Sequence, residues 1–159
     1  MKITIVCVGK IKEKFFTGAI AEYQKRLGRY CNLTIVEVND EKTKEQATDA
    51  EISIVKNREG ERILKNLRDD MYVIALAIEG KMLSSEELSE KIEKLGVGGT
   101  SHICFIIGGS LGLSDEVLNR ADFKLSFSRM TFPHQLMRVI LLEQIYRAYR
   151  IINNEPYHK

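Results

Sequence analysis

Long apolar runs are missing from this sequence. No stretch approaches the ~20 consecutive apolar residues needed to cross a bilayer, so no membrane role is expected. The N-terminus, Met1 to Val8, holds one lysine and a short apolar run before a charged segment. A signal peptide needs a longer apolar core and a small-residue cleavage site, so the cytoplasm is the expected compartment. Only two prolines occur in 159 residues, and there is no internal repeat, linker or low-complexity stretch. The three cysteines, Cys7, Cys31 and Cys104, are odd in number and form no Cys-x-x-Cys pair. That argues against a disulfide framework or a metal pair, and no metal is expected. Cys7 and Cys104 fall inside apolar runs, where a reduced thiol packs as a small hydrophobe. Nor does charge of one sign dominate: 24 Lys and Arg oppose 22 Asp and Glu, for a net +2. Binding of phosphate requires a basic patch rather than a basic total. Lys10, Lys12, Lys14, Arg26, Arg29, Arg147, Arg150 and Lys159 are candidates for one, against the plainer reading of a solvated charged surface.

What is present alternates between strand and helix signals. Ile3 to Val8 reads as a strand ended by Gly9. Phe16, Ala19, Ile20, Tyr23 and Leu27 then fall at helical spacing within a helix from Glu13 to Leu27. Leu33 to Val38 is a second strand, followed by a helix with Ile52, Val55, Ile63 and Leu67 on its buried side. Tyr72 to Ile78 is a third strand. Ser84 and Glu87 form a capping-box pattern that opens a helix through Leu88, Ile92 and Leu95, with Gly96 as its stop. Ile103 to Ile107 is a fourth strand, and Ser114 to Glu116 starts a short helix. Phe123, Leu125 and Phe127 alternate as a fifth strand, and a last helix runs from about His134 to Ile152. The first, third and fourth strands are apolar throughout, as in a parallel sheet covered by helices on both faces. The expectation is one compact α/β domain over residues 1–159.

The last helix is apolar around most of its circumference, from Leu136 to Ile152, and such a helix must be buried on nearly every side. If about four of these side chains face a partner, their burial contributes on the order of 6–12 kcal/mol. Association entropy costs ~4–15 kcal/mol, so a homodimer is favoured over a central helix in a monomer.

Two turns carry ligand signals. Gly108-Gly109-Ser110-Leu111-Gly112 follows the fourth strand, where open α/β sheets bind ligands beyond the strands' carboxyl ends. It is neither a P-loop nor a dinucleotide fingerprint, and a tight structural turn is an equal reading. Phe127 to His134, after the fifth strand, mixes hydroxyls, a thioether, aromatics and a cation, which suits an adenosine-like ligand. Pro133 restricts Phe132 and helps fix that loop. The tail Glu155-Pro156-Tyr157-His158-Lys159 is of a kind usually disordered. The sharper reading is a mobile segment that orders over a substrate base, with Tyr157 stacking and His158 or Lys159 touching phosphate or proton.

Taken together, these segments resemble the SPOUT-class methyltransferases. The closer resemblance is to the ribosomal RNA large subunit methyltransferase H family, which methylates N3 of a pseudouridine. It covers the whole chain and rests on Met1 to Lys10, Gly80 to Ser85, Phe105 to Gly109 and Leu125 to Ser128. The most specific stretch is Met130 to Val139, with Glu143 to Ala148 and the closing Pro156 to Lys159. The resemblance implies a C-terminal trefoil knot, otherwise nearly absent among folds. It also implies a homodimer with the site near its interface, and 23S rRNA in the assembled ribosome as substrate. S-adenosyl-L-methionine is the implied cofactor, held by Leu76, Gly108, Phe127, Ser128, Arg129, Met130, Thr131 and Phe132. For loss of the N3 proton, His158 is the tail's only group titrating near neutral pH. Tyr157 is expected beside it as a stacking ring, and stabilisation of the uridinate by Arg129 or Arg138 is the alternative to a base. A flavodoxin-type enzyme would explain the sheet but not the 128–134 loop. A non-catalytic ribosome-binding or assembly module would keep the basic surface and the dimer.

Overall fold

The computed structural model describes residues 1–159 and alternates strand and helix five times. The elements are β1 (Lys2–Val8), α1 (Lys14–Leu27), β2 (Asn32–Val38), α2 (Asp49–Leu64), β3 (Tyr72–Met82), α3 (Ser85–Val97), β4 (His102–Ile107), α4 (Asp115–Arg120), β5 (Phe123–Ser126) and α5 (His134–Ile152). Every strand pairing is parallel, in the order β2-β1-β4-β3-β5. Parallel neighbours require crossovers, which the helices supply. The parallel α/β sheet with helices on both faces, expected from the unbroken apolar strands, is the fold observed.

Side chains alternate across the pleat, so each inner strand feeds two cores. Ile3, Ile5 and Cys7 of β1 and Ile103, Phe105 and Ile107 of β4 face α1, α3 and α5. Val6 and Val8, Cys104 and Ile106, and Val73 and Ala75 face α2 and α4. Burial pushes the thiols of Cys7 and Cys104 up to about 11 and about 12, so both stay protonated and packed. Ser84 and Glu87 close the expected capping box. α3 runs on to Val97, past Gly96, because the Gly98 N–H closes one more turn on the Lys94 carbonyl (2.9 Å).

β3 also outlasts the expected stop at Ile78. Its ladder to β5 breaks between Leu76 and Lys81, then resumes. At Gly80 a Cβ would sit 2.7 Å from the Lys124 carbonyl carbon and oxygen, so only glycine allows the two strands to close up again. The bulge pushes residues 77–80 out of the ladder at the carboxyl end of the sheet. α5 lies between α1 and α3, which bury Leu141, Leu142, Ile145, Ala148 and Tyr149. Much of the apolar circumference of α5 is therefore buried within the chain, while Leu136 remains 36% exposed.

Candidate functional site

β4, β3 and β5 are consecutive in the sheet and point the same way, so the turns that follow them converge. They enclose a cavity of about 810 Å³, within the ~300–1,000 Å³ usual for small-molecule sites. Leu76, Gly108, Phe127, Ser128, Met130, Thr131 and Phe132 all line it. Arg129, placed with them in the sequence reading, does not: it is exposed and outside the lining. The local turn accounts for its outward position. Ser126 Oγ donates to the Ser128 carbonyl (3.0 Å) and the Met130 N–H donates to Ser128 Oγ (2.9 Å), which swings residue 129 outward.

The glycine turn supplies the opposite wall. The Gly112 N–H closes it on the Gly109 carbonyl (3.1 Å), with Gly112 at φ +89°. A Cβ on Gly108 would lie 3.0 Å from the Leu113 side chain and 3.1–3.2 Å from the Gly112 carbonyl group. A bare backbone is thus required where a ligand would approach. The bulged residues Ala77 to Glu79 and, from α2, Lys56 complete the lining. No periodicity in the sequence signalled these, because they reach the cavity through a ladder break and a helix far away in the chain.

His134 also lines the cavity, and its Nδ1 is buried without a partner. Burial, and then the neighbouring Arg138 charge, hold its pKa below the ordinary histidine value, so the ring is neutral at neutral pH. A carboxyl that sequence reasoning missed lies behind the turn. Glu59 of α2 is only 4% exposed, and mid-helix carboxylates ordinarily read as solvated.

The three residues given catalytic roles lie elsewhere in the protomer. Arg138 is 2% exposed and outside the cavity lining. It donates to Glu37 Oε2 (2.6 Å) and to the Gly9 carbonyl (3.2 Å). These bonds tie α5 to the ends of β1 and β2. Tyr157 and His158 do not line the cavity either. The tail folds back on α5 instead of standing free. Arg150 donates to Glu155 (2.7 Å) and to the Pro156 carbonyl (2.8 Å). The Tyr157 ring meets Tyr146 edge-on at 5.0 Å with the Arg147 guanidinium 4.7 Å from its centroid. Burial and then Glu143 raise the Tyr157 phenol to about 12. His158 bonds through Nδ1 to Arg147 (3.0 Å) and through Nε2 to Glu86 (2.6 Å).

A parallel α/β sheet with a glycine-turn cavity at the carboxyl ends of adjacent strands places a small-ligand site where proteins of this architecture bind their ligands. A family described as "Predicted SPOUT methyltransferase" matches residues 1–158. Among curated relatives, ribosomal RNA large subunit methyltransferase H of Bifidobacterium adolescentis is 68% identical over 159 residues, covering 100% of both chains. The enzymes of the same name from Clostridium novyi and Clostridioides difficile are 65% and 63% identical, again over 100% of both chains. Two solved structures share the fold: a probable methylase family protein from Haemophilus influenzae (TM-score 0.52, 19% identity, 96% of this chain), and a putative methyltransferase from Legionella pneumophila (TM-score 0.50, 12% identity, 94% of this chain) solved with bound SAM. The chain spans 66% of the length of each. The chain belongs to the SPOUT methyltransferases and, within them, to the family of ribosomal RNA large subunit methyltransferase H. Membership supports the methyltransferase class and the S-adenosylmethionine cofactor expected from the sequence.

Proposed function

We propose that the chain, as one domain over residues 1–159, methylates N3 of a pseudouridine in 23S rRNA. It works in the cytoplasm, as a homodimer, on the assembled ribosome. The observation that carries this reading is that Leu76, Gly108 and Met130, from three separate turns, line one cavity. The cavity suits S-adenosylmethionine. Leu76, Leu125 and Phe132 offer an apolar slot for an adenine, and the glycine turn brings backbone within reach of polar groups. The cofactor, when bound, supplies an electrophilic methyl group on a positively charged sulfur. The protein's own contribution is chiefly alignment, worth ~7–11 kcal/mol when both reactants are held.

The docked tail supports the homodimer. Arg147, which holds His158, lies ten residues beyond Met137, the last cavity-lining residue of α5, ~15 Å along the helix axis. A tail held there does not reach its own protomer's cavity, so in this reading a second copy brings its tail to the site. Met82, Met130 and Leu136, at the β5 end of the sheet and the start of α5, are large exposed apolar side chains available for that contact. His158 takes the N3 proton and Tyr157, protonated at neutral pH, stacks or donates. The trefoil knot belongs to the same reading, with the 127–133 loop held in the threaded part of the chain.

Titration with S-adenosylmethionine, followed by transfer of its labelled methyl to ribosomes and to stripped rRNA, tests the proposal. Binding, with label on a pseudouridine of intact ribosomes, is the expected result. Absence of binding would leave only the assembly module.

A further inference from the structure

At the amino ends of β1, β2 and β4 the sheet changes character on the face that packs against α2. Val36, Val6 and Ile106 pair in register as an apolar row on that face. The next row is Thr34, Thr4 and Cys104, and the one after it Asn32, Lys2 and His102. α2 ends at Leu64, and the turn that follows brings Lys65, Asn66 and Arg68 to the same place. Together they form an open cavity of about 450 Å³ with no carboxylate in its lining and only Val36 and Met71 apolar. Its floor is bonded into the fold. His102 and Thr4 are only 5% and 8% exposed. Arg68 donates to His102 Nδ1 (3.2 Å), which assigns the ring proton to Nε2, and Nε2 donates to Thr4 Oγ1 (2.7 Å). Burial, and then Arg68, lower the His102 pKa, in keeping with a neutral ring. His102 is the one hydrogen-bond partner of the Thr4 hydroxyl, so the hydroxyl's own proton is left over for an acceptor in the cavity. The carboxylate in contact with these cations, Asp70, meets Arg68 at 3.5 Å from outside the lining, with both side chains exposed.

We infer that this cavity is a second RNA contact, which holds a backbone phosphate of the ribosomal RNA away from the methylated base. The inference rests on the rRNA reading above. Lys2, Lys65 and Arg68 with a spare hydroxyl donor and no lining carboxylate suit a phosphate oxyanion. A free nucleotide would also need a slot for its base, and two apolar side chains among ten lining residues do not make one. The cavity lies at the far end of β4 from the cofactor site. His102 and Gly108 are six residues apart along that strand and its exit, ~20 Å of extended chain. A phosphate held there takes no part in methyl transfer. It fixes the position and orientation of the protein on its substrate, which is what phosphate contacts do. None of the cations that the sequence suggested for a basic patch lines it.

The test is methylation of intact ribosomes by the full-length protein, with ribosome concentration varied at several concentrations of potassium chloride. Lys65→Gln/Arg68→Gln should raise KM for ribosomes about tenfold, with kcat and the calorimetric affinity for S-adenosylmethionine unchanged. The slope of log KM against log salt should fall by about 1.5, for two lost phosphate contacts. Lys44→Gln/Lys94→Gln removes the same charge from side chains that are each 80% exposed and outside the cavity. That control should move KM by less than about twofold. No rise from the first pair, or an equal rise from both, would overturn the inference. If the first pair melts early, Lys2→Gln decides, with a fall in slope of about 0.8 expected and an unchanged slope equally fatal. Inorganic phosphate, titrated against the His102 ring resonances, separates the two sources of a phosphate group. Tight binding of the free ion with KM for ribosomes unmoved by the variants would assign the cavity to a small anion instead. A wild type that methylates no ribosome would sink the rRNA reading itself, and this inference with it.

Discussion

The two ends of α5 are built to opposite rules. At its start, His134 lines the cavity with a buried, unpartnered Nδ1 and a pKa lowered by burial. Past its end, His158 is bonded through both ring nitrogens, and its neighbours Tyr157 and Glu155 are tied to α5 as well. One end is an open, underbonded cavity and the other a closed polar clasp. The lesson is that bonding capacity is left unspent where a ligand belongs, while the residues expected to do proton chemistry are parked until something draws them away. A cavity in one protomer and a tail held ~15 Å along α5 from its lining make half a site each.

Deleting residues 153–159 should break that arrangement most severely. Methylation should fall by about 100-fold or more, the range of a lost general base, while S-adenosylmethionine binding by calorimetry stays intact. His158→Ala sharpens the same point: native-rate methylation with cofactor affinity unchanged would remove His158 as the base. At the other end, Gly108→Val drives methyl groups into the Gly112 carbonyl and Leu113. Overpacking of this kind should weaken cofactor binding by about 100-fold, again read by calorimetry. Arg138→Met should act on the fold rather than the chemistry. It removes two charge-assisted hydrogen bonds, one to a partly solvated Glu37, and should cost ~2 kcal/mol in urea unfolding, with activity per folded molecule retained. The smallest effect belongs to Glu86→Gln. The Glu86 carboxyl is held below its ordinary pKa by its own backbone N–H and then by His158, but it is exposed. The melting temperature should not move, while nuclear magnetic resonance should show a more mobile His158 ring.

The sequence made the scaffold legible because burial on both sheet faces leaves a strong mark. Apolar runs located β1, β3 and β4, and the Ser84–Glu87 spacing gave the start of α3. The cavity was half legible, since glycines and mixed polar-apolar turns advertise close approach to a ligand. What escaped depends on contacts across the chain. β3 continues through polar Glu79-Gly80-Lys81, where alternation fails and only the close approach to Lys124 explains the strand. Arg138 looked like a catalytic cation because its partners, Glu37 and the Gly9 carbonyl, lie about a hundred residues away or more. Glu59 went unnoticed because nothing local shows that α2 presses it onto the glycine turn. The tail looked free because Glu86 and Arg147, which hold His158, belong to two different helices.

The composite site can be tested by complementation between two defective chains. Protein lacking residues 153–159 and Gly108→Val protein, each inactive alone, would be unfolded together, refolded as a mixture and assayed on ribosomes. Random pairing should restore about a quarter of wild-type methylation, because half the dimers carry one intact cavity facing one intact tail. A mixture as inactive as its parents, with mixed dimers demonstrated by mass, would contradict the account.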